Sequence, residues 1–119
     1  MSKWNEATHW AFGRGFWYTD PVNEVKGLSA EQLFWVPTPQ ALCALWHVGH
    51  IAHRERYHIG HFLQGYKESD LIPAGFEIFG PDWCSVEAVR CRIQKPDDVF
   101  NWSRDVRQAS HDFISGLKG

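Results

Sequence analysis

The fold is decided by residues 40–65, QALCALWHVGHIAHRERYHIGHFLQG. This stretch contains no proline, and its apolar residues fall within one broad arc when they are plotted at about 100° per residue. Those apolar residues are Leu42, Leu45, Val48, Ala52, Ile59 and Leu63. The pattern predicts one long amphipathic helix, which Gly65 ends.

Shorter helical segments are predicted before this helix. Apolar residues recur at helical spacing over residues 3–18, which predicts a first helix, and the pattern resumes at Pro21 after interruptions by glycine. Ser29 and Gln32 then fit a capping box, in which each side chain bonds to the backbone N–H of the other residue. This box predicts a short helical turn ahead of the long helix.

A loop and two further helices are predicted after Gly65. Residues 66–84 carry prolines and glycines among scattered aromatic residues, and we expect a long loop over one end of the bundle. Residues 85–94 predict a short helix capped by Ser85, although their apolar residues also fit a strand. Pro96 suits the first position of another long helix, with acidic residues in its first turn. Its predicted apolar stripe is Val99, Trp102, Val106, Ala109, Phe113 and Leu117.

Composition limits the class of protein. A chain of 119 residues can bury one core, so we expect a single domain over residues 1–119. The net charge is −2, with 12 basic and 14 acidic residues spread along the chain, which argues against nucleic acid and anionic lipid as partners. No stretch approaches the roughly 20 apolar residues that span a bilayer, and the start lacks a signal-peptide pattern, so a cytoplasmic protein is expected.

The cysteines and aromatic residues give weaker indications. Cys43, Cys84 and Cys91 form no C-x-x-C pair, so we expect reduced, mostly buried thiols instead of a disulfide framework or a thiolate zinc site. The chain has seven Trp, eight Phe and three Tyr. Large rings suit the layers between helices, and they also suit an apolar pocket, so the core is favoured and the pocket stays open.

Histidines are concentrated on the predicted long helix, where five of the seven lie between His47 and His61. His47, His50, His58 and His61 share a strip about 80° wide with Arg54, whereas His53 lies off it. Imidazoles are good ligands for zinc, iron, nickel and copper. The alternative is that these side chains are half-buried, hydrogen-bonded residues at the edge of the apolar face.

Helix geometry limits what this strip can bind alone. At about 1.5 Å of rise per residue, His47 and His58 lie roughly 16 Å apart, so the pair His47/His50 and the pair His58/His61 cannot share one ion. A metal site built on His50 therefore needs ligands from another helix or from another chain.

Two segments carry a family resemblance. Residues 28–37, LSAEQLFWVP, are followed by residues 45–55, LWHVGHIAHRE, and this combination resembles the DinB/YfiT-like superfamily. The similarity extends to the iron-binding amino-terminal domain of the sulfoxide synthases of ergothioneine biosynthesis. Residues 96–117 are similar to the third helix of the family. In all, the resemblance covers roughly residues 25–65 and 96–117.

The resemblance implies an all-α fold and a metal site. The expected architecture is a DinB/YfiT-like helical bundle with three main helices and short helical turns, whose fourth helix is missing or supplied by a partner chain. Family members hold a divalent metal with one histidine of the second helix and a His-x-x-x-His pair of the fourth. His50 matches the first ligand, and the sequence contains no His-x-x-x-His pair.

Three explanations of the incomplete site remain open. In the favoured explanation, the chain completes its bundle and its site as a homodimer. In the second, His9 or His111 serves as a substitute ligand. In the third, the site is lost and the bundle has another purpose. The ions in question are zinc, nickel and iron.

Three functions follow from these expectations. The first is a metal-dependent enzyme of the thiol-transferase type that uses a low-molecular-weight thiol. In it His50 is a ligand, His47 is a second ligand or a base, Glu55 orients a ligand, and Arg54 anchors an acidic group of the substrate. A solvated ion-pair edge is the alternative for Arg54 and Glu55.

The other two functions are not catalytic. One is a binder of a metal or an apolar small molecule, with a pocket lined by Trp10, Trp17, Trp46 and Phe62, beside which Arg54 would lie. The other is an interaction module whose aromatic face binds a partner helix.

Overall fold

The computed structural model describes residues 20–117, and every regular element in that part of the chain is helical. The α-helices are α1 (Pro21–Val25), α2 (Ala30–Phe34), α3 (Ala44–Tyr57), α4 (Val86–Arg92) and α5 (Pro96–Ser115). Helix α3 continues as a π-helix (His58–Leu63), and two 3₁₀ turns follow at Glu68–Asp70 and Phe76–Phe79. The expected all-α class is therefore confirmed for the described residues. The helix predicted over residues 3–18 lies outside them.

Side-chain caps fix the starts of the short helices. Asp20 accepts a hydrogen bond from the backbone N–H of Val22 at 2.9 Å, next to Pro21 in the first helical position. The predicted capping box is present, because the Gln32 N–H donates to Ser29 Oγ at 3.2 Å and the Ser29 N–H donates to Gln32 Oε1 at 2.9 Å. Ser85 caps α4 as predicted. Each cap satisfies a backbone N–H that has no partner within its helix.

Helix α3 and its extension differ from the prediction at both ends. The helix begins at Ala44 instead of residue 40, because the residues before it form a turn in which the Ala41 N–H donates to the Thr38 carbonyl at 3.1 Å. At the other end Leu63 is 56% exposed, although the pattern predicted it to be buried. The π-helix explains this difference, since its i→i+5 bonds widen the turn and rotate the later residues off the α-helical register. Gly65, with φ of +79°, ends the helix as predicted.

The buried face of α5 is also shifted from the predicted stripe. Ala109 was predicted to be buried and is exposed, whereas Ser103 and Ser110 are buried. The buried residues of α5 are Val99, Phe100, Ser103, Val106, Ser110 and Ile114. The Ser110 hydroxyl on this face lies near Glu55 of α3, which forms an ion pair with Arg107 of α5.

Helix α3 lies at the centre and contacts α1, α2, α5 and the turn at Phe76–Phe79. The main core cluster is Val22, Leu33, Phe34, Cys43, Leu45, Trp46, Val48, Phe79, Val86, Val89, Ile93, Val99 and Phe100. All three cysteines are free, as expected; Cys43 is buried, Cys84 is half-buried and Cys91 is exposed, so burial of the thiols is less complete than predicted. Among residues 20–117, no helix is long and apolar enough to cross a membrane.

Candidate functional site

Two rings of α3 hold the turn at Phe76–Phe79. The Trp46 Nε1–H donates to the Ile78 carbonyl at 2.8 Å, and His50 Nδ1 lies 2.8 Å from the Phe79 carbonyl. A carbonyl oxygen only accepts hydrogen bonds, so His50 Nδ1 carries a hydrogen, and in the neutral ring the lone pair is then on Nε2. The two rings are stacked, with their centroids 4.5 Å apart and an angle of 11° between their planes. His50 is thus held in one tautomer and one orientation.

A glycine allows this close packing. A Cβ added at Gly49 would lie 2.4 Å from the Phe79 ring, which is closer than two carbon atoms approach. The Phe79 ring is fully buried in the space that the missing Cβ of Gly49 leaves open. Gly49 therefore leaves room for the turn at Phe76–Phe79, and the rings of Trp46 and His50 bind the carbonyl groups of that turn.

His47 has different surroundings from His50. Its exposed ring lines an apolar groove of about 510 Å³ between α1 and α3. The residues that line this groove are Pro21, Glu24, Val25, Ala44, His47, Val48 and Ile51. The rings of His47 and His50 both contact Trp46, with centroid distances of 5.3 and 4.5 Å, but His47 lines this groove whereas His50 is hydrogen bonded to the Phe79 carbonyl.

The predicted pocket residues lie in separate parts of the described chain. Trp46 is 4% exposed and belongs to the core. The Arg54 guanidinium lies 5.0 Å from the centre of the Tyr57 ring, and the exposed Phe62 ring packs edge-on against Tyr57 at 5.1 Å. Arg54 and Phe62 are thus brought together through Tyr57, and Trp46 is not. Trp10 and Trp17 lie outside the described residues, so the pocket as a whole stays a prediction.

Glu55 forms a buried ion pair that the sequence analysis missed. Its Oε1 lies 3.0 Å from Arg107 Nη2 on α5, and the side chains are 9% and 16% exposed. A solvated pair with Arg54 is therefore not what the structure contains. Burial raises the pKa of Glu55, although Arg107 and the nearby Ser110 hydroxyl oppose the shift. The desolvation of this carboxylate thus outweighs its attraction to Arg107.

His53, to which the sequence analysis gave no role, is the most buried histidine among the described residues. It is 4% exposed, and its Nδ1 has no hydrogen-bond partner. Burial lowers its pKa, and the nearby Arg54 and His50 act in the same direction, whereas Glu68 and Glu77 oppose the shift. One signal could have found it: Gly49 lies one turn earlier on the same side of α3, and a glycine there indicates close packing.

The lowered pKa of His53 predicts a pH-dependent stability. The ordinary pKa of histidine is 6.5, so below about pH 6.5 His53 is protonated in the unfolded chain. In the folded chain its lowered pKa keeps it neutral until a lower pH is reached. The stabilising contribution is complete above about pH 6.5 and is lost as the pH falls toward the lower pKa of the folded chain. We expect the free energy of unfolding, measured by urea denaturation, to fall between about pH 7.5 and pH 5.5, and to fall less in His53→Gln.

His58→Gln, which changes an exposed ring, is the control and should retain the slope of the wild type. Equal slopes in His53→Gln and the wild type would contradict this assignment.

Two imidazoles of the described residues are oriented by a backbone carbonyl: His50 by that of Phe79, and His61, whose Nδ1 lies 2.8 Å from the Tyr66 carbonyl. Within residues 20–117, no group of three or more His, Cys, Asp or Glu side chains is arranged to hold a metal ion, and His9 lies outside that range. His50 fits the role of a ligand, and the described part of the chain does not complete its site. His111 is half-buried on α5. Comparison of the chain with protein-family models, with curated proteins and with solved structures gives no match.

Proposed function

We propose that this chain is a DinB/YfiT-like helical domain that binds a divalent metal ion through His50 Nε2. One observation carries the proposal: His50 Nδ1 lies 2.8 Å from the Phe79 carbonyl, to which its N–H donates a hydrogen bond. Histidines that bind metals commonly donate the other ring N–H to a carbonyl or carboxylate, which fixes the tautomer and turns the free nitrogen toward the ion. Stacking on the buried Trp46 adds a second restraint on the ring.

The remaining ligands are proposed to come from a second copy of the chain. An oriented imidazole is one ligand, and a zinc site in a protein needs three or four. In a two-fold dimer each site is completed by the same residues of the other copy. Exposed apolar side chains in and just after the π-helix support association; they are Phe62, Leu63 and Tyr66. If one chain completes the site by itself, His9 and His111 would serve as the substitute ligands.

The family resemblance extends the proposal to a reaction class, the transfer of a low-molecular-weight thiol. A bound ion would lower the pKa of such a thiol and so supply the nucleophile. Arg54 is the proposed anchor for an acidic group of the substrate, since its half-buried guanidinium is already positioned by Tyr57. Turnover with glutathione would distinguish this enzyme from a domain that only binds metal.

Calorimetric titration with Zn²⁺, Ni²⁺ and, under anaerobic conditions, Fe²⁺ tests the metal proposal. We expect His50→Ala to weaken binding by more than about 100-fold, because losing only the hydrogen-bond partner behind a ligand already costs about 10- to 100-fold. His50→Asn is the sharper variant, since its amide N–H can still donate to the Phe79 carbonyl while Nε2 is lost. His58→Ala, at an exposed position of the π-helix, is the matched control and should bind like the wild type. Wild-type affinity in both His50 variants would exclude His50 as a ligand.

A second candidate is a non-catalytic binder of an apolar small molecule. The observation that favours it is the groove between α1 and α3, whose volume of about 510 Å³ lies in the range of small-molecule sites. Its lining is mainly apolar, with His47 and Glu24 as polar groups that could orient a ligand. A wild-type protein that binds none of the three metals would favour this candidate.

A further inference from the structure

A second cleft lies on the side of α3 that carries His53. It has a volume of about 540 Å³ and opens between α3 and the segment that contains the two 3₁₀ turns. Its lining residues are His53, Glu68, Ser69, Ile72, Glu77, Gly80, Pro81 and Asp82. Three of these residues are acidic and none is lysine or arginine, so the residues that line the cleft carry a net negative charge.

His53 provides a buried, unpartnered hydrogen-bonding group in the wall of this cleft. Its side chain is 96% buried, since only 4% is exposed, and Nδ1 has no partner. The edge of the ring that carries Nε2 lies beside Gly80, where an added Cβ would lie 3.5 Å from that nitrogen. A neutral imidazole has one acceptor nitrogen and one N–H. Because Nδ1 is enclosed, a ligand in the cleft that donates an N–H would pair with Nε2, the nitrogen on the Gly80 side.

The placement of the acidic residues selects the kind of cation. Glu68 lies on the first 3₁₀ turn, Glu77 lies on the second, and Asp82 follows the second turn. These carboxylates and His53 do not form one of the clusters of three or more groups that could hold a metal ion, and no such cluster exists within residues 20–117. The negative charges belong to separate segments of the cleft wall, since Glu68 and Glu77 lie on different 3₁₀ turns. An elongated molecule with separated positive charges matches them better than a single ion does.

We infer that this cleft binds an aliphatic polyamine. Its ammonium groups pair with Glu68, Glu77 and Asp82, its methylene groups lie against Ile72 and Pro81, and one N–H donates to His53. A volume of about 540 Å³ is sufficient for such a molecule, because small-molecule sites range from about 300 to 1,000 Å³. The site is separate from the proposed metal ligand, since His50 is hydrogen bonded to the Phe79 carbonyl and does not line the cleft.

Calorimetric titration with spermidine at low ionic strength tests the inference. We expect saturable binding of one molecule per chain, which weakens as salt is added. Glu68→Gln combined with Glu77→Gln should weaken the affinity about tenfold, because two exposed ion pairs are lost. Both side chains are exposed, so the variant should keep the wild-type fold, which circular dichroism checks. His53→Phe, which keeps a ring and removes both nitrogens, should weaken the affinity about two- to tenfold.

The matched control removes the same charge elsewhere. Glu87→Gln combined with Asp105→Asn neutralises two exposed carboxylates that do not line the cleft. This control should bind spermidine with the wild-type affinity. Equal affinities in the control and in the Glu68/Glu77 variant would overturn the inference, because attraction to the net charge alone would then explain the binding. Absence of saturable binding, or full displacement of spermidine by an equal concentration of Mg²⁺, would overturn it as well.

Discussion

Glu55→Ala is expected to lower the free energy of unfolding by about 3–5 kcal/mol, because it leaves the buried Arg107 guanidinium without its carboxylate partner. The ion pair between Glu55 and Arg107 joins α3 to α5, with 3.0 Å between Glu55 Oε1 and Arg107 Nη2. Both side chains are largely removed from solvent. Breaking a buried pair from one side is much more costly than the small net stabilisation that an intact pair provides. Urea denaturation followed by circular dichroism at neutral pH measures the loss.

Glu55→Gln separates the charge from the packing. Burial raises the pKa of Glu55 in spite of Arg107, so the folded chain favours the neutral form of this side chain more than water does. A neutral amide of similar shape should therefore be tolerated better than alanine. Replacing both partners by leucine should restore most of the stability, because an apolar pair leaves no buried charge. An alanine variant that unfolds at the wild-type urea concentration would show that the pair does not connect the helices.

Trp46→Ala is the second substitution with a large expected effect, a loss of about 3–5 kcal/mol in the free energy of unfolding. The indole is 4% exposed, and its N–H donates to the Ile78 carbonyl at 2.8 Å. Alanine would leave a cavity in the core and would remove the ring on which His50 stacks. The same variant should therefore also weaken metal binding, although His50 itself is unchanged. Thermal unfolding and metal titration of one sample measure both effects.

Trp35→Ala is the control for the loss of a tryptophan as such. This indole is 65% exposed, so its removal should change the free energy of unfolding by no more than about 0.5–1 kcal/mol. Similar losses in the Trp35 and Trp46 variants would contradict the placement of Trp46 in the core. Trp46→Phe, which keeps a ring and removes the N–H, should fall between the two.

The helices were predictable where local signals determine them. The capping box of Ser29 and Gln32, the serine cap of α4 and the first-turn proline of α5 are short-range features, and each is found at its predicted position. The burial of Leu63 and Ala109 was predicted wrongly. The π-helix displaces Leu63 from the expected 3.6-residue repeat, whereas α5 is a continuous α-helix whose buried face includes Ser103 and Ser110. Neither feature appears in the spacing of apolar residues along one helix.

The candidate site was predictable only in part. The matched motif singled out His50, but its partner is the Phe79 carbonyl, 29 residues away in a segment that was predicted as a loop. His53 was left without a role, because helical angles alone do not show which neighbouring segment covers a face. Glu55 was named without Arg107 as its partner, since the pairing depends on how α3 and α5 pack. Long-range packing decides all three environments.

Metal content is the most direct test of the central claim that His50 binds a divalent ion. Elemental analysis of the purified wild type and of His50→Asn should be combined with the oligomeric mass of the same samples. We expect a dimer that holds about one divalent ion per chain in the wild type, and a variant that remains folded and loses the ion. A folded wild type without metal, or a variant that keeps the full metal content, would contradict the claim.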